Sequence, residues 1–229
     1  MHKLVLATNN EGKAGELRRL FGDAGLELEV VTIGEIAPGL DEPEESHEPG
    51  TTFEHNAALK ARYYARATGL PCLGDDSGLE VDALGGAPGV ISSHFAWDGA
   101  TTGEPATLTR PQRDEHNNRR LLREMQGVEG EARSARFVCT MVLARPDGEI
   151  ACVTRGTLEA RIGTPPDVPR GEMGFGYDPL MLVAPDFTRT GAELEPLEKN
   201  SVSHRGQAAR ALIERLHAGV LGGGSPGNA

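Results

Sequence analysis

The N-terminal residues alternate between a strand, a helix and a second strand, and this order constrains the fold more than any other feature. Residues 3–8, "KLVLAT", are an apolar run with the length of a buried strand. The next segment places Leu17 and Phe21 at helical spacing and ends at Gly25. Residues 26–33 begin with alternating apolar and polar side chains, which is typical of a strand. This order predicts an α/β fold whose sheet is at least partly parallel.

The middle of the chain carries a loop, a helix and a short strand. Residues 34–50 hold three prolines and six acidic residues and are predicted to be a loop. Thr51 and Glu54 match a capping box at the start of the following helix. Residues 71–74 are predicted to form a strand that ends at two adjacent carboxylates, discussed below.

The second half adds a hairpin and a final helix. Residues 135–162 contain two β-rich runs joined by Pro-Asp-Gly, which predicts an antiparallel hairpin. Residues 203–219 are predicted to form a helix with Ser203 as its N-cap and Ala208 and Leu212 facing inward. The Gly-rich residues 220–229 are predicted to be disordered.

Composition excludes several classes of protein. No run approaches the roughly 18 apolar residues that a membrane span requires, and the N-terminus carries no signal-peptide pattern, so we expect a cytoplasmic protein. The three cysteines lack disulfide or zinc spacing. The formal net charge of −11 disfavours a nucleic acid polymer as partner. It does not disfavour a small phosphate ligand that arrives with its own metal ion.

"TNNEGK", from Thr8 to Lys13, lies between the first strand and the first helix. It is not a Walker A loop. A turn of small polar residues before a helix N-terminus nevertheless suits an anion, because N–H groups and the positive end of the helix dipole meet there. Lys13 in the first helical turn opposes that dipole unless an anion is shared. Either a phosphate site or a plain polar turn fits these residues.

Asp75 and Asp76 form an unusual pair of like charges that is followed by Ser77 and a glycine. On an extended segment the two side chains point to opposite sides, so they need not share a site. Ligands of open α/β sheets bind beyond the carboxyl ends of strands, where this pair is expected. One aspartate together with a glutamate such as Glu48 would suit Mg²⁺. A simple turn is the alternative interpretation.

Two further segments suit a nucleotide. "GFGYDP" places Phe175 where a ring could stack on a base, with Asp178 as an acceptor. "EKNSVSHRG" supplies the donors Lys199, His204 and Arg205 near a helix start. Each segment could equally be structural, but together with the phosphate loop and the carboxylates they describe a nucleotide site.

The sequence resembles the inosine triphosphate pyrophosphatase family. The matching stretches are "LATNNEGKAGEL", "TFEHNAALKA", "DDSGLEVDALGGAPGV", "GFGYDP" and "EKNSVSHRGQA". They follow the family order and span nearly the whole chain. Two stretches depart from the family pattern, with His55 in the F-x-E-N-A motif and His94 in place of an arginine.

The resemblance implies an elongated mixed sheet with flanking helices, arranged as one domain of two lobes over residues 1–219, with the active site in the cleft between the lobes. It implies an enzyme that hydrolyses the noncanonical purine nucleotides dITP, ITP and XTP to the monophosphate and pyrophosphate with Mg²⁺. It also implies a homodimer. A Maf-type pyrophosphatase acting on other nucleotides and a nucleotide-binding sensor without turnover are the alternatives.

The resemblance assigns site residues by position. Lys13 and Asp76 are the implied catalytic residues, and Glu48 and Asp76 the implied metal ligands. The implied substrate contacts are Thr8, Asn9, Asn10, Glu11, Gly12, Lys13, Lys60, Ser77, Phe175, Gly176, Tyr177, Asp178, Lys199, His204 and Arg205. Among them, His204 and Arg205 would donate to the 6-oxo group of the base. Asp76 would act as the base towards water, while Asp75 would hold the turn.

Overall fold

The structure is a computed structural model that describes residues 2–41, 43, 50–99, 108–174 and 176–221. The chain divides into two compact units. The first consists of Met1–Asp76, Cys139–Gly156 and Arg205–Ala229, and the second of Ser77–Val138 and Thr157–His204. That residues 1–219 fold as one domain and that residues 220–229 are disordered stay predictions.

The chain contains both strands and helices. The strands are β1 His2–Leu6, β2 Leu28–Thr32, β3 Cys72–Val81, β4 Pro88–Gly89, β5 Ser134–Ala144, β6 Ile150–Ile162 and β7 Met181–Val183. The helices are α1 Glu11–Asp23, α2 Ile33–Ile36, α3 Phe53–Thr68, α4 Arg110–Glu124, α5 Pro196–Val202 and α6 His204–His217. The sheet that these strands form has the order β2-β1-β3-β5-β6-β7, with β4 paired to β3. The predicted mixed α/β fold is confirmed.

In the first unit, β1 pairs in parallel with both β2 and β3. Its side chains alternate between two hydrophobic clusters, as the period of a strand requires. Leu4 and Leu6 pack with Phe21 of α1 and Leu212 of α6. Val5 packs in the other cluster, against apolar residues of α3. Helices therefore cover both faces of the second half of β1, which explains why Leu4, Val5 and Leu6 are all apolar.

In the second unit, strands pair in antiparallel orientation. The end of β3 pairs with β4, and the end of β6 pairs with β7. A cluster that includes Leu79 of β3, Leu121 of α4 and Ile162 of β6 forms the core. The buried guanidinium of Arg133 donates to the carbonyl oxygens of Met125, which follows α4, and of Ile162, the last residue of β6. These bonds tie the end of α4 to the end of β6.

The predicted end of the third strand was wrong. The prediction stopped the strand at Gly74, whereas β3 continues through Asp75 and Asp76 to Val81. Asp-Asp-Ser-Gly is typical of turns, but tertiary contacts described below bind both carboxylates and keep the backbone extended. The two side chains consequently alternate, with Asp75 buried and Asp76 partly exposed.

Two helix starts also differ from the prediction. The N-cap of α3 is Thr52, whose hydroxyl accepts the His55 N–H, so the predicted box of Thr51 and Glu54 was wrong by one residue. A complete capping box occurs instead at α2, between Thr32 and Glu35, inside a segment that was predicted to be strand end and loop. Neighbouring threonines make the sequence pattern ambiguous, and only the local geometry selects one of them.

No helix in the described part of the chain is long and apolar enough to cross a membrane.

Gly74 marks the closest approach of β3 to α3. A Cβ atom at this position would lie 2.2 Å from the Ala57 carbonyl oxygen and 3.0 Å from the Ala61 nitrogen. We expect Gly74→Ala to lower the free energy of unfolding by roughly 1–3 kcal/mol, because backbone must move to admit the methyl group. Urea denaturation measures this change.

Gly15→Ala is the matched control. A Cβ at Gly15, in the exposed interior of α1, meets nothing within 4 Å. The same substitution there is expected to raise the free energy of unfolding by about 0.5–1 kcal/mol, because glycine weakens a helix interior. Equal effects of the two substitutions would contradict the packing argument.

Candidate active site

The turn between β1 and α1 has the geometry of a helix N-terminus open to an anion. Asn10 is the N-cap of α1, and its side-chain oxygen accepts the Lys13 N–H at 3.2 Å. Thr8 accepts the Asn10 N–H at 3.1 Å, which fixes the approach to the helix. Asn9, Glu11 and Gly12 are exposed. The predicted phosphate-loop residues Thr8 to Lys13 are therefore contiguous at the helix end where N–H groups and the positive dipole face outward.

Lys13 turns from α1 towards β3 and forms an ion pair with Asp75. Its Nζ lies 2.7 Å from Asp75 Oδ2, and the Asp75 side chain is 8% exposed while that of Lys13 is 26% exposed. Burial alone raises the pKa of Asp75, but the charges of Lys13, Arg205 and Lys60 outweigh burial and hold that pKa well below its usual range. Asp75 is therefore an ionised, buried carboxylate at neutral pH.

Residues of α3 support both members of the carboxylate pair. Lys60 donates to the main-chain carbonyl oxygen of Asp75 at 2.7 Å. Asn56 donates through Nδ2 to Asp76 Oδ2 at 2.9 Å, and its Oδ1 accepts the Gly50 N–H at 2.8 Å. The Asp76 carboxylate is thus oriented by a neutral amide, whereas the Asp75 carboxylate is bound by a cation.

The described carboxylates suit a hard divalent cation only in part. Asp76 supplies oxygen donors of the type that Mg²⁺ prefers, while Asp75 is already paired with Lys13. Among the described residues no group of three or more His, Cys, Asp and Glu side chains could hold a metal ion. Glu48, the second predicted ligand, lies outside the described residues.

Arg205 belongs to the same charge cluster as Asp75. It is 8% exposed, and its Nη1 lies 3.3 Å from Glu16 Oε2 of α1. Burial lowers the pKa of Arg205, but the charges of Asp75 and Glu16 more than compensate and raise it above its usual value. The guanidinium therefore contributes a fixed positive charge to this cluster, in addition to the base-reading role that the sequence predicts for it.

Two of the predicted base-binding residues of the second unit, Asp178 and Lys199, form an ion pair. Asp178 is 3% exposed, and its Oδ2 lies 2.5 Å from Nζ of Lys199. Tyr177 is 4% exposed, and its hydroxyl donates to the Ser92 carbonyl oxygen at 2.7 Å, so this side chain anchors the segment in the core. Phe175 lies outside the described residues.

The two remaining predicted contacts of this unit are Ser77 and His204. Ser77 is partly buried on β3, directly after the carboxylate pair. The His204 ring stacks on Phe137, with centroids 5.3 Å apart and an interplanar angle of 21°. Their predicted contacts with substrate stay predictions.

Sequence reasoning missed two supporting residues and misassigned Asp75. Asn56 and Glu16 were not foreseen as partners of Asp76 and of Arg205. Tyr177 was predicted as a substrate contact, but its hydrogen bond to the Ser92 carbonyl oxygen was not foreseen. Asp75 was expected to hold a turn, whereas it binds Lys13 inside a strand. The motif "TFEHNAALKA" does indicate that Asn56 has a polar partner, because an amide on the inward face of a helix requires one.

Comparisons with known proteins agree on one family. The model of the Ham1 family matches residues 4–215. A protein of Frankia alni named dITP/XTP pyrophosphatase is 47% identical over 214 residues, which are 93% of this chain and 96% of the relative. An Exiguobacterium protein of the same name is 48% identical over 211 residues, 92% of this chain and 94% of the relative.

Solved structures agree with these relatives. A HAM1 protein from Coxiella burnetii superposes with a TM-score of 0.79 at 37% identity, over 95% of this chain and 100% of that chain. A nucleoside-triphosphatase, or dITP/XTP pyrophosphatase, from Mycobacterium abscessus gives a TM-score of 0.72 at 37% identity, over 93% of this chain and 99% of that chain.

The ion pair of Asp75 with Lys13 predicts a specific dependence of stability on pH. We expect Asp75→Asn to lower the free energy of unfolding by about 1.5–3 kcal/mol at pH 7, the usual value of a hydrogen bond to a charged group. Because the folded pKa of Asp75 is lowered, its stabilisation is present above the unfolded pKa of about 4 and is lost as the pH falls through the folded value. The difference in the free energy of unfolding between wild type and Asp75→Asn should therefore become smaller below about pH 4.

Urea denaturation of both proteins from pH 7 to pH 3 measures this difference in the free energy of unfolding. Glu29→Gln is the control, because Glu29 forms an exposed pair with Lys3 that contributes little. A gap between wild type and Asp75→Asn that stays constant across this range would show that the carboxylate is not held ionised by Lys13.

Proposed function

The chain belongs to the Ham1 family, and from this premise we propose that it hydrolyses dITP, ITP and XTP to the monophosphate and pyrophosphate. Relatives that are 47% and 48% identical over more than nine-tenths of their length carry the name dITP/XTP pyrophosphatase. The observation that carries the proposal is the first-unit cluster, in which Lys13 at a helix N-terminus pairs with Asp75 while the adjacent Asp76 accepts from the amide of Asn56.

The triphosphate is proposed to bind at the start of α1. The N–H groups of its first turn and the positive dipole end favour phosphate oxygens, and Thr8, Asn9 and Asn10 add polar side chains there. Lys13 is held beside this turn by Asp75 at 2.7 Å. A lysine already in position loses little further freedom when a phosphate binds, and this pre-organisation favours binding.

Asp76 is proposed as the general base. A water oxygen forms a bond to phosphorus while an anhydride bond to the departing pyrophosphate breaks, and Asp76 accepts the proton that the water loses. The amide of Asn56 donates to one carboxylate oxygen of Asp76 and so helps to orient this carboxylate. A positioned base contributes typically about 10²–10⁴-fold to a rate.

A divalent cation, proposed as Mg²⁺, would be held by Asp76 and Glu48 and would supply neutralisation of the triphosphate charge. Lys13 would help the cation to neutralise the triphosphate, because its Nζ lies next to β3, the strand that carries Asp76.

The base is proposed to bind the residues that the family resemblance assigns to it. Phe175 would stack on the ring, and Gly176, Tyr177, Asp178 and Lys199 would surround it. His204 and Arg205 would donate to the 6-oxo group of hypoxanthine or xanthine. Adenine presents a 6-amino donor in that place, and buried donors left unpaired reject such a mismatch strongly. A homodimer in the cytoplasm, without a nucleic acid polymer as partner, completes the proposal on the basis of the family resemblance.

A product assay tests this function. The protein is incubated with Mg²⁺ and a panel of ITP, XTP, dITP, GTP, ATP and UTP, and pyrophosphate and orthophosphate are measured separately. We expect pyrophosphate from ITP, XTP and dITP. Orthophosphate would indicate a phosphatase, preferential turnover of UTP would favour a Maf-type enzyme, and binding without any product would indicate a sensor.

Asp76→Asn tests the general base. We expect kcat for ITP to fall by about 10²–10⁴-fold, because the amide cannot accept the proton of water. The folded state should persist, since Asp76 is only partly buried and an amide can still accept from Asn56. Asp23→Asn, the same change at an exposed position at the end of α1, is the matched control and should leave kcat unchanged. Unaltered turnover in well-folded Asp76→Asn would refute the assignment.

A further inference from the structure

Helix α4 binds Gly176 through both of the polar groups of its backbone. The Gly176 N–H donates to Asp114 Oδ2 at 2.9 Å. The Gly176 carbonyl oxygen accepts from Asn118 Nδ2 at 3.1 Å. Asp114 and Asn118 are one helical turn apart, so they lie on the same face of α4. We call these two side chains the Gly176 clamp.

The clamp acts on a residue that cannot fix its own backbone. Gly176 has a φ of +63°, in the left-handed region that favours glycine. A residue without a side chain has no contact of its own that selects one orientation of its peptide groups. Two hydrogen bonds at opposite ends of the residue supply that selection, because each fixes one peptide plane.

The next residues extend the constraint to the predicted base-binding segment. Tyr177 follows directly and is anchored by its hydroxyl on the Ser92 carbonyl oxygen at 2.7 Å. Burial, with a further contribution from the negative charge of Asp114, raises the pKa of Tyr177 far above its usual value, so the hydroxyl remains a donor. Asp178 comes next and pairs with Lys199. Residues 176–178 are thus held at three successive points.

The helix that carries the clamp is itself well fixed. Asn117, 2% exposed, accepts the Ala96 N–H at 2.8 Å and donates to the Ser93 carbonyl oxygen at 3.0 Å. Leu121 is fully buried in the core of the second unit. Side chains that start from a rigid helix position their partners more accurately than side chains that start from a loop.

We propose that Asp114 and Asn118 are positioning residues for nucleobase recognition. This inference rests on the proposed function. The clamp sets the backbone orientation of residues 176–178, and this orientation determines how well the base fits against them. Phosphate binding and proton transfer use other residues. Loss of the clamp therefore weakens binding of the correct base and its discrimination from adenine nucleotides, while the chemical step is retained.

Isosteric substitutions separate the two hydrogen bonds from general packing. Asn118→Asp keeps the shape of the side chain but replaces the donor by a carboxylate oxygen that repels the Gly176 carbonyl. Asp114→Asn keeps an oxygen that accepts the Gly176 N–H. Asp114→Ala removes the acceptor. Glu115→Gln, on an exposed position between the two clamp residues, is the matched control for changes on α4.

Steady-state kinetics with ITP and ATP provide the first readout. For Asn118→Asp and Asp114→Ala we expect the KM for ITP to rise by roughly tenfold to a hundredfold, the equivalent of about 1–3 kcal/mol for an unsatisfied buried group. The ratio of kcat/KM between ITP and ATP should fall, and kcat for ITP should stay near the wild-type value. Asp114→Asn and Glu115→Gln should retain the wild-type KM and selectivity.

This split distinguishes positioning from stability. Irreversible loss of folded protein lowers the apparent kcat without moving KM. Reversible unfolding raises the apparent KM for ITP and for ATP by the same factor, so only the positioning role changes the ratio of kcat/KM between the two nucleotides. Hydrogen exchange of the Gly176 amide, followed by NMR, provides a second readout that requires no substrate. It should accelerate in Asn118→Asp and Asp114→Ala and stay slow in Asp114→Asn.

The outcomes are distinguishable. If the wild-type protein releases no pyrophosphate from any nucleotide of the panel, the proposed function fails, and the inference about recognition fails with it. If the wild type is active but KM and selectivity are unchanged in Asn118→Asp and Asp114→Ala, the inference alone is overturned. A fall in kcat without a change in KM also overturns it. Should Asn118→Asp fail to fold, Asp114→Ala and its rescue by Asp114→Asn decide the question.

Discussion

The ion pair of Lys13 and Asp75 is the interaction on which the proposed phosphate site depends. Asp75 is almost completely buried, and a buried carboxylate without a partner would either become protonated or destabilise the fold. Lys13 provides that partner at 2.7 Å, and Arg205 adds a second positive charge nearby. The pair joins the first turn of α1 to β3. It therefore fixes a positive charge at a helix N-terminus, where the triphosphate is proposed to bind.

This pairing also separates the functions of two adjacent aspartates. The strand geometry directs their side chains to opposite faces, and the partners on those faces differ in charge. Asp75 pairs with the cation Lys13, and its negative charge holds that cation in place. Asp76 accepts a hydrogen bond from the neutral amide of Asn56. Identical residues thus acquire different partners from their surroundings, and this difference is what the proposed division between a general base and a structural anion rests on.

The sequence predicted the elements that depend on local periodicity, and it failed where distant partners decide. The apolar runs and helical spacings located β1, α1, α3, the hairpin and α6, because burial imposes those periods. The strand through Asp75 was missed, since Asp-Asp-Ser-Gly favours a turn until Lys13 and Asn56 bind its carboxylates. The capping residue of α3 was missed by one position, because Thr51 and Thr52 are equivalent in composition and only the backbone conformation distinguishes them.

The Gly176 clamp is a second feature that local sequence patterns cannot predict. Asp114 lies 62 residues before Gly176 in the chain and on a different element, so no local pattern connects the two. Glycine at position 176 satisfies the left-handed backbone, yet it gives up every side-chain contact that could hold that backbone in place. Recognition by such a segment therefore has to be stabilised by side chains from elsewhere. It follows that residues controlling selectivity extend to α4, beyond the motifs that resemblance assigns, and that selectivity can change there without a change in the residues proposed to carry out the chemistry.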